Sequence, residues 1–469
     1  MSETTEATRD WAREQVHAAD FGNALRDRRC ELMLRRAAER PAGRLTEVFC
    51  NRAELQAAYK FVEGSVSPTA IVASLADATL RGQSETEFLY AVMDGTSLSL
   101  TDRTKSKDFG SVGSRTFPTR GLKVIDAIGI DADGTPRGLL DLHMWSRGPR
   151  ASDSKRARRW RGETETQHWV ESIARVGERA RDAGVTPWFV IDREGDSAAI
   201  FRALERAGGH FTVRTSQKER CCFDGNVRGS ILQRMARRPI IGRHFVDVPK
   251  GRERRPRVAT LDVRIGRLTL DLHQLGARRA PMEVCVVWVH EPRAPRGAEA
   301  LDWMLFTNRS VRTYDDALAI IESYCHRWRV EDFHRTWKRG RCHVEDTQLR
   351  KRDHVVRWAT MLAAVALRVE RLKLLARTRP DEPATIGLKP IEIEALKAAK
   401  RAYFLTRTET VGDDMPSLAT AVRWIAQFGG FQGRGDVMPG AVTLGRGLER
   451  LLVYAEGFEQ GVKQARKRR

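Results

Sequence analysis

Three acidic side chains, Asp94, Asp192 and Glu331, stand where their chemistry can be shared. Asp94 follows the apolar run Phe88–Met93 and Asp192 follows Trp188–Ile191. Each is therefore expected at the carboxyl end of a strand, where α/β sheets place their sites. Glu331 falls in a segment whose spacing predicts a helix over Tyr314–Gly340. On that helix Tyr324, Arg327, Glu331 and Lys338 stand at offsets 0, +3, +7 and +14. At about 100° per residue all four share one face within about 60°. A phenol, a guanidinium, a carboxylate and an ammonium in so narrow a stripe suit a polyanionic ligand.

Three carboxylates from two strands and a helix are enough to hold two divalent ions, and Mg²⁺ suits all-oxygen ligands of this kind. Such a site activates a water or a 3′-hydroxyl and steadies the leaving oxygen of a phosphodiester, with the ions ~3.5–4 Å apart. Without metal the three would repel one another and at least one would tend to protonate. Each piece also has a plainer reading. Asp94-Gly95 is turn chemistry, Asp192 can pair with Arg193, and Arg327–Glu331 fits an i,i+4 ion-pair ladder.

The elements that must position these groups follow a recognisable order. Phe88–Met93 reads as a strand; Leu122–Ile130 and Gly138–Trp145 read as a hairpin around the Asp131–Thr135 turn. Thr164–Ala183 reads as a helix with Trp169, Ile173, Val176 and Ala180 on one side, and Trp188–Ile191 as the next strand. Strand, hairpin, helix, strand is the first half of a ribonuclease H-like α/β core, in which the first strand and the one after the helix are neighbours. From Arg214 to about Trp303 short β-like runs (Ile240–Val248, Val258–Ile265, Leu268–Leu272, Val284–Val289) suggest a β-rich insertion. Val355–Leu375 reads as a helix, Arg379–Pro383 as a linker, and Gly445–Gln464 as a final amphipathic helix before a basic tail at 463–469 expected to fray. Upstream, Thr8–Ala18, Arg26–Ala38 and Glu54–Val62 read as short helices interspersed with Arg26, Arg28, Arg29, Arg35, Arg36, Arg40 and Arg44. That set is either a solvated face or a phosphate-contacting surface. The expected division is a helical DNA-binding domain at 1–70, a catalytic core at 71–378 and a helical domain at 379–469.

The 469 residues suffice for two or three domains. A net charge of +21 points to a polyanionic partner, nucleic acid first. No apolar run reaches the roughly 20 residues of a spanning helix. The acidic start Met1-Ser-Glu-Thr-Thr-Glu lacks a signal-peptide core. Seven cysteines without a C-x-x-C pair suggest a reducing compartment, so a cytoplasmic, nucleoid-associated bacterial protein is expected.

The context Tyr324-Cys-His-Arg-Trp-Arg-Val-Glu-Asp-Phe-His-Arg-Thr-Trp-Lys338 resembles the Tyr-x2-Arg-x3-Glu-x6-Lys signature of the Tn-five-like transposases of the insertion-sequence-four family. The resemblance extends to Asp94-Gly-Thr-Ser-Leu-Ser, Val190-Ile-Asp192-Arg-Glu, Leu301-Asp-Trp303-Met-Leu and Gly429-Gly-Phe431, and more weakly to both helical ends. It implies that Asp94, Asp192 and Glu331 are the metal ligands of a cut-and-paste DDE transposase using two Mg²⁺ ions, with Mn²⁺ as substitute. It implies that Tyr324, Arg327 and Lys338 contact DNA near the cut, with Arg214 a further phosphate contact or else a plain surface arginine. Trp303 would stack on a base flipped out beside the cut, such stacking being worth ~1–3 kcal/mol, unless it is simply core. The expected partners are transposon-end and target DNA, plus a second copy of the chain paired through the last helix. The implied chemistry is strand hydrolysis, hairpin formation, reopening and joining to target DNA. Departures are the arginine-rich composition, the loop Thr101–Arg120, and Arg339-Gly-Arg-Cys-His-Val344 in place of the family's small-residue run. Two other readings stay open: a ribonuclease H-like nuclease or integrase without a hairpin step, and a non-catalytic DNA-binding descendant.

Overall fold

The computed structural model describes residues 11–81, 88–113, 119–147, 164–248, 256–272, 280–388, 390–403, 411–432 and 439–467. The chain divides into two compact units. The first comprises Met1–Gln83, Thr96–Ser152 and Arg329–Arg469; the second comprises Ser84–Gly95 and Asp153–Trp328.

Helices α1 (Ala24–Glu39), α2 (Leu45–Val48), α3 (Arg52–Val62) and α4 (Pro68–Arg81) open the first unit. Strand β1 (Phe88–Ser99) belongs to the second unit up to Gly95 and to the first from Thr96. Then come β2 (Gly110–Ser111), β3 (Arg120–Ile130) and β4 (Pro136–Trp145) in the first unit. The second unit continues with α5 (Glu165–Asp182), β5 (Thr186–Ile191), α6 (Ala198–Ala207), β6 (His210–Arg214), β7 (Cys221–Asp224), β8 (Val227–Ser230) and α7 (Ile231–Ala236). It ends with β9 (Gly242–Val248), β10 (Arg257–Leu272), β11 (Ala280–His290), β12 (Asp302–Thr307) and α8 (Tyr314–Cys325). Helix α9 (Trp328–Arg335) returns the chain to the first unit. There it runs through a π turn (Thr336–Gly340), α10 (Arg352–Thr378), α11 (Pro390–Tyr403), α12 (Leu418–Phe428) and α13 (Ala441–Lys467).

In the second unit β1, β5 and β6 run parallel, with Met93 opposite Ile191 and Ile191 opposite Val213. Leu89–Met93 and Pro187–Ile191 are buried without interruption, the pattern of strands covered on both faces. Helix α5 turns Trp169, Ile173 and Val176 inward. Helix α6, whose Ser197 cap accepts from the Ile200 amide, turns in Ile200, Phe201 and Leu204. The β-rich insertion leaves β6 and comes back as its antiparallel neighbour β12, Arg214 lying opposite Leu305. Beyond β12 lie β11 and β10, the latter flanked by β9 and β7.

In the first unit β3 and β4 form the expected hairpin, and Leu100 beyond β1 donates its amide to the Arg120 carbonyl of β3 (2.8 Å). The spine is α10, buried almost all round, which packs on β4, α1 and α4. Its Trp358 indole donates to the Gly43 carbonyl (3.0 Å). The carboxyl end of α10 shares a core with α11, α12 and α13, built from Leu372, Ile393, Leu396, Val422, Ile425, Leu444, Leu448 and Leu451. Helices α12 and α13 meet backbone to backbone. A Cβ on Gly447 would lie 1.7 Å from the Ile425 carbonyl oxygen, and one on Gly429 2.0 Å from that of Thr443.

This is the mixed α/β architecture that the order of elements predicts, with helical flanks. Four expectations need correction. The helix read over Tyr314–Gly340 is two helices and a π turn, broken at His326–Arg327, where the Arg327 amide closes a tight turn on the Tyr324 carbonyl (3.0 Å). The four-residue stripe computed for one straight helix therefore does not exist as such. The two runs Val258–Ile265 and Leu268–Leu272 are one strand, because Gly266 continues the ladder opposite Val286. Of the helix read over Thr8–Ala18, residues 11–15 are helical and residues 8–10 lie outside the described residues. Helix α13 runs past the expected end at Gln464 to Lys467, and residues 468–469 of the basic tail lie outside the described residues.

Candidate functional site

Adjacent parallel strands bring Asp94 and Asp192 to one place in the second unit, because each directly follows a paired residue, Met93 or Ile191. Asp94 does not sit in a turn: β1 runs on through Gly95, where a Cβ would meet the Glu194 carboxylate at 2.3 Å and Trp169 at 3.2 Å. Asp192 directly follows β5 and heads a single 3-10 turn, its carbonyl accepting from the Gly195 amide (2.8 Å).

Three cationic or donor groups converge on these carboxylates. Arg327 lies in the break between α8 and α9. Its Nη1 is 3.8 Å from Asp94 Oδ2 and its Nε 3.8 Å from Asp192 Oδ2. Tyr324, one turn earlier, donates its hydroxyl to Asp192 Oδ1 (2.9 Å). Arg214, at the end of β6, donates to the Tyr324 oxygen (3.2 Å) and stands 3.7 Å from Asp192. Burial first, and the Asp192 charge second, push the Tyr324 phenol up to about 12. It therefore keeps its proton and serves as a donor at neutral pH. Trp303, on β12, is 6% exposed with its ring 5.5 Å from that of Tyr324.

The remaining two site residues lie in the first unit. Glu331 is half-buried on α9, and Lys338 sits in the π turn with its ammonium against the Thr96 hydroxyl, two residues along β1 from Asp94. Helix α9 is fastened along its length. Arg329 donates to the Gly134 carbonyl (3.2 Å), the His334 Nε2–H to Asp126 (2.6 Å), and Lys373 of α10 to Asp332 (3.3 Å). The π turn is pinned by the Thr336 hydroxyl, which donates to Glu370, and by the Trp337 indole, which donates to the Ala359 carbonyl (3.0 Å).

The donor set fits divalent cations of the hard type. Two carboxylates side by side offer only oxygen, and a guanidinium already lies within 4 Å of both, so the pair draws positive charge to itself. The structure thus gathers Asp94, Asp192, Arg214, Trp303, Tyr324 and Arg327 in one unit, and Glu331 with Lys338 in the other.

Four contributors escape the sequence reading. Trp328 is 52% exposed beside Arg327, whose guanidinium lies 5.1 Å from its ring centre. Asp196, buried, collects the Thr215 hydroxyl (2.6 Å), the Ser216 amide (2.8 Å) and Arg220 (2.6 Å), and so fixes the chain just after Arg214. An acid four residues past Asp192 was its only sequence signal. Glu370 and Lys373 had none, because their partners in the π turn and on α9 are more than thirty residues away.

The upstream arginines divide. Arg36 is gripped by Glu39 (2.8 Å) and Glu54 (3.0 Å) and Arg44 pairs with Glu47 (3.3 Å), whereas Arg28 is exposed.

Comparison with protein families adds three matches. Residues 161–368 match a model described as a transposase DDE domain, a span that includes Asp192 and Glu331 and begins beyond Asp94. Residues 8–65 match a transposase DNA-binding model, and residues 364–466 a Tn5 transposase dimerisation domain. Among the described residues no helix is long and apolar enough to cross a membrane.

Proposed function

Given that the chain belongs to the Tn5-like DDE transposases, enzymes that cleave DNA and transfer the cut strand, we propose that it moves its element by cut and paste through hairpin-ended intermediates. Its partners are DNA and a second copy of itself. Divalent metal use comes with the DDE domain; we assign Asp94, Asp192 and Glu331 as the ligands of two Mg²⁺ ions, with Mn²⁺ able to substitute. Bound there, the ions supply activation of the attacking oxygen and stabilisation of the leaving one. The observation that carries the reading is the convergence of Arg327, Tyr324 and Arg214 on the paired aspartates.

In the free protein Arg327 and Arg214 offset the charge of Asp94 and Asp192. Were divalent ions held by the carboxylates, the Arg327 guanidinium would be free to contact a DNA phosphate. Tyr324, held protonated, and Arg214 form a donor pair that orients the strand end, with Lys338 as a further phosphate contact. The exposed face of Trp328 offers an aromatic surface for a base displaced beside the cut; Trp303, packed against Tyr324, would have to be uncovered to serve the same purpose. In the first step a water attacks the phosphodiester at the element's end and the 3′-oxygen leaves as a hydroxyl. In the second, that hydroxyl attacks the opposite strand, joining the two strands as a hairpin and freeing the flanking DNA. A second water reopens the hairpin, and the 3′-hydroxyl then attacks target DNA.

The test is incubation with Mg²⁺ and DNA carrying the element's own ends. Excised fragments whose strands run at doubled length on a denaturing gel are expected. Flush or nicked ends without any doubled strand, at every time point, would leave a transposase or integrase without a hairpin step. Arg327→Ala is expected to weaken complexes with cleaved ends about 10- to 100-fold, the loss of one charge-assisted hydrogen bond of about 1.5–3 kcal/mol. Binding to random duplex should change far less, as measured by mobility shift. Equal loss on both DNAs makes Arg327 a generic phosphate contact.

A further inference from the structure

We infer that Glu370 and Lys373 of α10 are positioning residues that set the direction of Glu331 and Lys338. This rests on the assignment of those two residues to the site. Glu370 is 3% exposed and Lys373 is 7% exposed, and their charged ends touch. From this buried pair one contact goes to each end of the segment that matters. Lys373 reaches Asp332, the neighbour of Glu331, and Glu370 takes the hydroxyl of Thr336, which is 2% exposed and starts the π turn.

A π turn is a rare and strained departure from α-helical geometry and recurs at functional sites. Here the Thr336 carbonyl accepts from the Arg341 amide (2.9 Å) and the Cys342 amide (3.1 Å), five and six residues on. The wider turn re-aims Lys338, which ends against Thr96. Within Thr336–Gly340 only Gly340 accommodates this geometry, since a Cβ there would lie 2.7 Å from the Arg335 carbonyl oxygen; a glycine permits the turn without selecting it, so it has to be held from outside. Trp337 supplies bulk, buried and stacked on Phe333 at 5.5 Å. Glu370 supplies direction, because a buried carboxylate accepts only where donors are placed for it. For stability alone an apolar pair would serve as well as the buried ions or better. What ions add here is a fixed register between α10 and the α9–π segment.

The variants Thr336→Val and Thr336→Ser in the full chain separate this role from simple packing. Val keeps the shape and loses the hydroxyl; Ser keeps the hydroxyl. With Val, hydrogen exchange at the Arg341 and Cys342 amides should rise at least tenfold and single-turnover cleavage should fall at least tenfold. Binding to transposon ends should stay within about twofold, and Ser should restore both rates. If Val exchanges and cleaves as the parent does, the clamp does not set the turn. If exchange rises while cleavage holds, the clamp is structural only and the inference fails. Should Val not fold, Lys373→Gln carries the test, since it unties Asp332 and should separate cleavage from binding in the same way; unchanged cleavage overturns the idea. A parent protein that cleaves no DNA would defeat the functional assignment itself, while the exchange measurement still reports on the clamp.

Discussion

Glu331→Gln is expected to abolish strand cleavage while leaving binding to transposon ends within about threefold. Gln has the size and shape of Glu but presents a neutral amide, a poor ligand for a hard divalent ion. Metal stabilisation of the developing charge is worth several kcal/mol, and at about 1.36 kcal/mol per decade that is a loss of at least about 10³-fold. The fold should tolerate the change. Glu331 is half-buried, and α9 is fastened through Arg329, Asp332 and His334. Single-turnover cleavage in Mg²⁺ beside a mobility shift on the same ends checks both halves. Loss of end binding in step with cleavage would make Glu331 a structural or DNA-contacting residue and remove it from the metal set.

The second large effect lies far from the chemistry. Gly447→Val should destabilise the carboxyl-terminal helices by about 3 kcal/mol, the upper end of the range for overpacking. The first added carbon alone would lie 1.7 Å from the Ile425 carbonyl oxygen and 2.6 Å from its carbon. That neighbour is helix backbone and cannot rotate away. Val is the better helix former by a few tenths of a kcal/mol, far too little to offset the collision. Helix α13 must therefore move off α12, loosening Leu444, Leu448 and Leu451 from Val422 and Ile425. Earlier thermal unfolding and faster proteolysis within 390–467 are the expected readouts, with weaker self-association alongside. Unchanged unfolding would mean that the two helices approach less closely than their glycines imply.

Much of this was legible in the chain itself. The strand order, the hairpin at Asp131–Thr135 and the neighbouring positions of Asp94 and Asp192 follow from period and topology rules, because buried parallel strands read as unbroken apolar runs. Periodicity failed at Tyr314–Gly340 for an identifiable reason. The break at His326–Arg327 is a tight turn in which His326 keeps helical dihedrals, so the apolar spacing passes through it almost in phase. The π turn is set by a carboxylate on another helix, and no local pattern records that. Asp94-Gly95 looked like the end of a strand because glycine usually marks turns. Here it lets β1 continue past Glu194 and Trp169. Arg36 looked like a DNA contact and is held by Glu39, one turn along its own helix, and by Glu54, whose distance in sequence hid it.

The insertion that begins after β6 also bears on how such a chain can grow. Because it comes back as β12 directly alongside β6, with Leu305 facing Arg214 and Thr307 facing Thr212, its two ends are as close as the ends of a hairpin. Closing a loop costs entropy only as the logarithm of its length, about 0.6 kcal/mol per doubling. Dozens of residues can therefore be gained or shed between these two strands without pulling Arg214 away from Tyr324. Lineages are free to enlarge or trim this segment as a cassette while the catalytic strands beside it stay in register.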